Sequence, residues 1–168
     1  MTLWTNAPNM SGTRFEAQRY MRAFVHVPAL VSDGIERVMV MCYGVGNTAS
    51  AALLHESVER VDVVDLSADV LEHAPFFEPI NGRPLEDPRV TVHVNDARHH
   101  LRMVPEGTYD LITGEPPPIA FAGVVNLYTR EFFELVRSRL RTGGMISYWL
   151  PINQVNERVA RAIVGAFV

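Results

Sequence analysis

Apolar residues in this chain gather in short runs with little alternation between apolar and polar positions. "RVMVMCY" covers Arg37 to Tyr43, "VDVVDL" covers Val61 to Leu66, and "RVTVHV" covers Arg89 to Val94. "YDLIT" (Tyr109 to Thr113) and "GMISYWL" (Gly144 to Leu150) complete a set of five. Runs of this kind predict strands buried on both faces of a parallel sheet. Between them the pattern turns helical, over Thr48 to Ser57, Ser67 to Phe77, Ala97 to Met103 and Thr129 to Leu140. A further helix is predicted before the first strand, from Arg14 to Val31, and another after the last, from Asn153 to Phe167. Strand and helix in alternation imply βαβ units with right-handed crossovers. The fold class is therefore α/β: a Rossmann-like open, mostly parallel sheet of about five strands with helices on both faces. Residues 14–168 read as one domain. Residues 1–13, with turn formers and little period, read as an arm or a small hairpin.

Punctuation supports these boundaries. Ser67 can cap the helix that follows the second strand. "RTGG" (Arg141 to Gly144) combines a cation with glycines, as a helix C-terminus prefers. "NGRPLEDPRV" (Asn81 to Val90) reads as a surface loop.

Composition narrows the function classes. The chain has 168 residues, enough for one core, with 48% hydrophobic and 20% charged residues and a net charge of −4. No basic stripe stands out, so nucleic acid is not an expected partner. No run of roughly 18 apolar residues occurs, so direct membrane contact is not expected and a cytoplasmic setting is. The single cysteine, Cys42, excludes an internal disulfide and a cysteine-based zinc site. All fifteen basic residues are arginine, which excludes Walker-type phosphate binding and Schiff-base chemistry. No histidine spacing argues for a metal; His99 and His100, early in a helix, read as solvent-facing, and His55 and His73 as helix-surface residues.

Ligands of parallel sheets bind at the carboxyl ends of the strands. The first strand is followed by "GVGNTA" (Gly44 to Ala49), where Gly44 and Gly46 let the backbone approach a ligand and Asn47 opens the helix. The second strand ends in Asp65 and Leu66, nineteen residues after Gly46, where a carboxylate can accept from two ribose hydroxyls or brace the start of the next helix. The third ends in Asp96 and Ala97; Asp96 could accept from an adenine amino group or act as an N-cap. The fourth delivers Glu115, followed by three prolines that fix the loop backbone. A nicotinamide dinucleotide site would not need the last two acids.

Together these segments resemble the spermidine synthase (polyamine aminopropyltransferase) family, within the class I S-adenosylmethionine-dependent methyltransferase-like fold. "RYMRAFVHVPAL" is similar to the family's helix before the first strand, "ERVDVVDLSADVLEHA" to the segment with the ribose acid, and "DPRVTVHVNDAR" to the adenine segment. "YDLITGEPPP" lies over the catalytic loop, and "NLYTREFFELVRSRLRTGGMISYWL" over the helix and strand that follow. The likeness is strongest to bacterial domains that read Glu-Pro in that loop and often sit in larger membrane proteins. It implies S-adenosylmethionine or its decarboxylated form as co-substrate, a small-molecule acceptor, no metal, Glu115 as the base, and Tyr20 and Pro116 in the substrate pocket. It also exposes departures. The family has His-Glu where Met21 and Arg22 stand, Asp where Val45 stands, and a second loop Asp where Pro118 stands. Those groups hold the cationic polyamine. The implied fold has seven strands, so the last two are expected to be missing, and the chain is expected to form a homo-oligomer such as a dimer or to be part of a longer protein. Two alternatives stay open: a nucleoside-binding or assembly domain without catalysis, and an NAD-dependent dehydrogenase.

Overall fold

The structure is a computed structural model that describes residues 1–4 and 9–168. Strands β1 (Thr2–Trp4) and β2 (Asn9–Gly12) pair antiparallel as a small separate sheet. Part of the N-terminal reading, residues 5–8, lies outside the described residues. Helix α1 (Phe15–Val31) leads into the main sheet, built from β3 (Arg37–Met41), β4 (Arg60–Asp65), β5 (Val90–Val94), β6 (Tyr109–Gly114) and β7 (Leu140–Tyr148). Its order is β5-β4-β3-β6-β7, with every pairing parallel. The crossovers carry α2 (Asn47–Leu53), the short α3 (Ala68–Glu72) and α4 (Glu78–Asn81), α5 (Ala97–Met103) and α6 (Arg130–Arg139); α7 (Glu157–Phe167) follows β7. The fold class agrees with the sequence reading.

Each face of the sheet carries a core. Val38, Val40, Val61, Val63 and Leu111 pack under α1 and α2, with Ala49, Ala51 and Ala52 letting α2 lie close. Met39, Met41, Val64 and Ile112 pack on the other face against Leu101 of α5, Phe132 and Phe133 of α6, and Ile163 of α7. The inner strand β6 is buried at all six positions. Caps set several helix starts: Ser67, Asp96, Thr129 and Asn156 each accept from a backbone N–H three residues on.

Four sequence expectations need correction. The edge strand β5 is not buried on both faces: Val92 and Val94 are 38% and 59% exposed. It has one neighbour, and α3 is only five residues long with none of them buried. The helix expected over Ser67 to Phe77 breaks into α3 and a 3-10 turn over Ala74–Phe77, where Pro75 interrupts the helical ladder. The final helix begins at Glu157, later than expected, with Asn156 as its cap. "RTGG" does not end a helix in solvent. Strand β7 starts at Leu140, and Arg141 to Gly144 form a bulge between the pairings Tyr109–Leu140 and Leu111–Met145. Gly143 has φ of 79°, and a Cβ on Gly144 would come within 3.0 Å of the Tyr109 carbonyl. Arg141 pairs there with Asp110, whose Oδ2 also accepts from the backbone N–H groups of Glu36 and Arg37, both at 2.8 Å.

Candidate functional site

The carboxyl ends of β3, β4, β5 and β6 open into a cleft of about 730 Å3. Gly44, Asn47, Asp65 and Leu66 line it, as do Asp96, Ala97 and Glu115. A second hollow of about 600 Å3 adjoins it, lined by Tyr20, Pro116 and Trp149 among others. Glu115 belongs to both. Gly46 lines neither; its place is beneath the turn. At φ of 80°, a Cβ there would lie 2.5 Å from the Tyr43 hydroxyl. Asn47 opens α2, but its side chain is buried and its amide donates to the Gly12 carbonyl and the Met21 sulfur, both at 3.3 Å.

The acids differ in how they are held. Asp65 Oδ2 accepts from the Tyr43 N–H at 2.7 Å and Oδ1 from the Ser67 N–H at 2.9 Å. Both backbone bonds favour the carboxylate, but burial outweighs them and its pKa is raised. Each oxygen keeps a lone pair for a ligand. Asp96 is exposed and caps α5 through Oδ1, with the His99 N–H at 2.8 Å. Cap and cleft lining thus coexist at that residue.

Glu115 stands where β6 gives way to prolines. Burial pushes its pKa up to about 7, against the opposing pull of a hydrogen bond donated by the Tyr20 hydroxyl. Burial and the neighbouring Glu115 charge raise the Tyr20 phenol in turn, so it remains a donor. Cys42, at φ of 64°, feels the whole arrangement: burial, then the charges of Asp65, Glu115 and Asp96, push its thiol up. The cleft therefore concentrates negative potential, which suits a cationic ligand.

Two of the departures from the family pattern meet in space. Met21 and Val45 pack together with Phe77 as a buried apolar cluster. Apolar packing stands where two polar side chains were expected from the resemblance.

A second polar group, missed in the sequence, lies on the α5 face of the sheet. His100 is not solvent-facing but 3% exposed, with Nε2 3.0 Å from the Tyr109 hydroxyl. That hydroxyl donates to Asp62 Oδ2 at 3.0 Å, while Asp62 Oδ1 is 2.9 Å from His93 Nε2 and also accepts from Arg60. Burial alone would raise the Asp62 pKa; hydrogen bonds from Arg60, His93 and Tyr109 together with the Arg60 charge lower it. Asp62, His93 and His100 could converge on a metal, but the carboxylate is already occupied by Arg60 and Tyr109. The signal was available. Ala97, His100 and Leu101 fall at i, i+3 and i+4, one helix face, and an acid inside "VDVVD" requires partners. His55, expected on a helix surface, lies 2.9 Å from His26 across α1 and the end of α2.

The chain's residues 17–155 match the spermine/spermidine synthase domain. The chain belongs to the spermine/spermidine synthase family. Spermidine synthase 2 of Datura stramonium is 33% identical over 147 residues, covering 84% of this chain and 46% of that protein. Spermine synthase of Arabidopsis thaliana is 29% identical, covering 84% and 40%. The chain thus spans less than half the length of these relatives. A crystal structure of spermidine synthase with the transition-state analogue AdoDATO superposes with a TM-score of 0.81 at 20% identity, over 89% of this chain and 51% of that one. Spermidine synthase from Thermotoga maritima gives 0.78 at 19%, over 89% and 50%. These two support the fold. No helix among the described residues is long and apolar enough to cross a membrane.

Proposed function

We propose that this chain is the catalytic domain of an aminopropyltransferase-like enzyme that takes decarboxylated S-adenosylmethionine as donor. The observation that carries this is the convergence of Asp65, Asp96 and Glu115 on one cleft, with Glu115 shared by the adjoining hollow. Asp65 suits the ribose hydroxyls and Asp96 the adenine edge, with Gly44 and Ala97 giving close backbone approach. The negative field suits the sulfonium. The acceptor enters from the hollow lined by Tyr20 and Pro116. Its amine attacks the donor carbon next to sulfur; the C–S bond breaks, sulfur keeps the electron pair, and the new N–C bond forms. The amine's proton passes to the Glu115 carboxylate, which a pKa of about 7 leaves able both to take and to release it. Tyr20 aims that carboxylate through its hydrogen bond. The protein's remaining contribution is alignment. A cytoplasmic setting and a dimer belong to the same reading.

The test is release of methylthioadenosine from the decarboxylated donor in the presence of amines, with wild type against Glu115→Gln. Release that depends on amine and is lost in the variant supports the reading; release unaffected by the variant removes Glu115 as base. The apolar cluster of Met21, Val45 and Phe77 favours a second reading, nucleoside binding without turnover. Donor binding by calorimetry with no methylthioadenosine formed would select it.

A further inference from the structure

The hollow beside Glu115 has an unexpected charge inventory. Its charged lining consists of Glu115 and Arg14; Ser11, Asn153 and Gln154 are neutral, and Pro116, Pro117 and Pro118 contribute no charge. Arg14 stands just before α1, and its carbonyl accepts from the Gln18 N–H. The arginines in ion pairs among the described residues are Arg60, Arg83, Arg89, Arg139, Arg141 and Arg161, not Arg14. A diamine is doubly cationic at neutral pH, because each alkyl amine has a pKa near 10. Such a molecule needs a carboxylate for each end, and here the second charge is a guanidinium. Resting on the proposed transferase reading, we infer that Arg14 forms a carboxylate subsite at the acceptor end of the cleft. The acceptor therefore carries a carboxylate there, as an amino-carboxylate does. The planar guanidinium fits a carboxylate through two parallel hydrogen bonds.

Calorimetric titration with 4-aminobutyrate and with 1,4-diaminobutane, both with and without methylthioadenosine, reads the acceptor arm. The carboxylate-bearing amine is expected to bind about tenfold more tightly than the diamine, the effect of one charge-assisted contact. Arg14→Gln is expected to erase the difference and Arg14→Glu to reverse it. The donor arm compares S-adenosylmethionine with its decarboxylated form on the same variants. A preference for the carboxylated donor that Arg14→Gln abolishes puts the carboxylate on the donor and overturns the inference. Tighter diamine binding in wild type, or no change in the acceptor arm on Arg14→Gln, also overturns it. Failure of methylthioadenosine to bind strikes the nucleoside reading instead, since the two amines are also titrated without it. Arg14 is exposed and is in none of the ion pairs among the described residues, so both variants are expected to melt like wild type.

Discussion

The two ends of the cleft are built differently. At the proposed donor end the acids are fixed by backbone: Asp65 is locked by the Tyr43 and Ser67 N–H groups, and Asp96 by its cap on α5. At the proposed acceptor end Glu115 is held by a side chain, the Tyr20 hydroxyl, and Arg14 is in none of the ion pairs among the described residues. Backbone-held acids tie ligand geometry to the fold itself. Side-chain-held groups can be exchanged without disturbing the sheet. On the proposed reading, then, the donor end is tied to the fold, and the acceptor end can be retuned without disturbing it.

That contrast can be broken most sharply at Glu115. Glu115→Gln is expected to lower amine-dependent turnover by about a hundredfold to ten-thousandfold while leaving donor affinity within a few-fold. Loss of donor binding of the same size would merge the two ends into one site. Asp65→Ala is expected to do the opposite, weakening methylthioadenosine binding by about tenfold to a hundredfold in calorimetry. It should also cost stability, because two buried N–H groups lose their acceptor.

The pH profile sharpens the comparison further. On the proposed mechanism the base is the ionised Glu115 carboxylate, so kcat/KM is expected to fall as pH drops through about 7. Tyr20 stabilises the ionised form, so Tyr20→Phe should move that limb to higher pH and reduce turnover a few-fold. The linkage to stability has the opposite sense. A carboxyl whose pKa is raised on folding favours the folded state in acid, and that contribution is lost as pH rises through about 7. The smallest effect on ligands is expected from Tyr109→Phe. It leaves His100 Nε2 without its partner and Asp62 Oδ2 with Arg60 alone, and should cost about 1–3 kcal/mol in denaturant melts, with donor affinity unchanged.

The sheet was legible because its inner strands are buried on both faces, so Val38 to Met41 reads as an unbroken apolar run and Val61 to Val64 as one interrupted only by Asp62. The edges were less so. β5 has no fully buried position, and the bulge at Arg141 to Gly144 uses the same residues that would end a helix. Asp65 and Glu115 could be found from strand ends alone. The contact between Tyr20 and Glu115 could not, because it joins α1 to β6 across ninety-five positions of sequence with no periodicity to announce it. His100 was misread because a helix of seven residues gives too short a window for charge and polarity to average out.

The cluster of Met21, Val45 and Phe77 bears on how such a chain can change over generations. A lone Val45→Asp would place a carboxylate against a thioether and a phenyl ring. A lone Met21→His would still find the Asn47 amide and the Ser11 hydroxyl, which reach the Met21 sulfur here. A polar pair is therefore reached with least loss of stability when position 21 changes first, so the order of substitution, and not only its content, decides which intermediates fold.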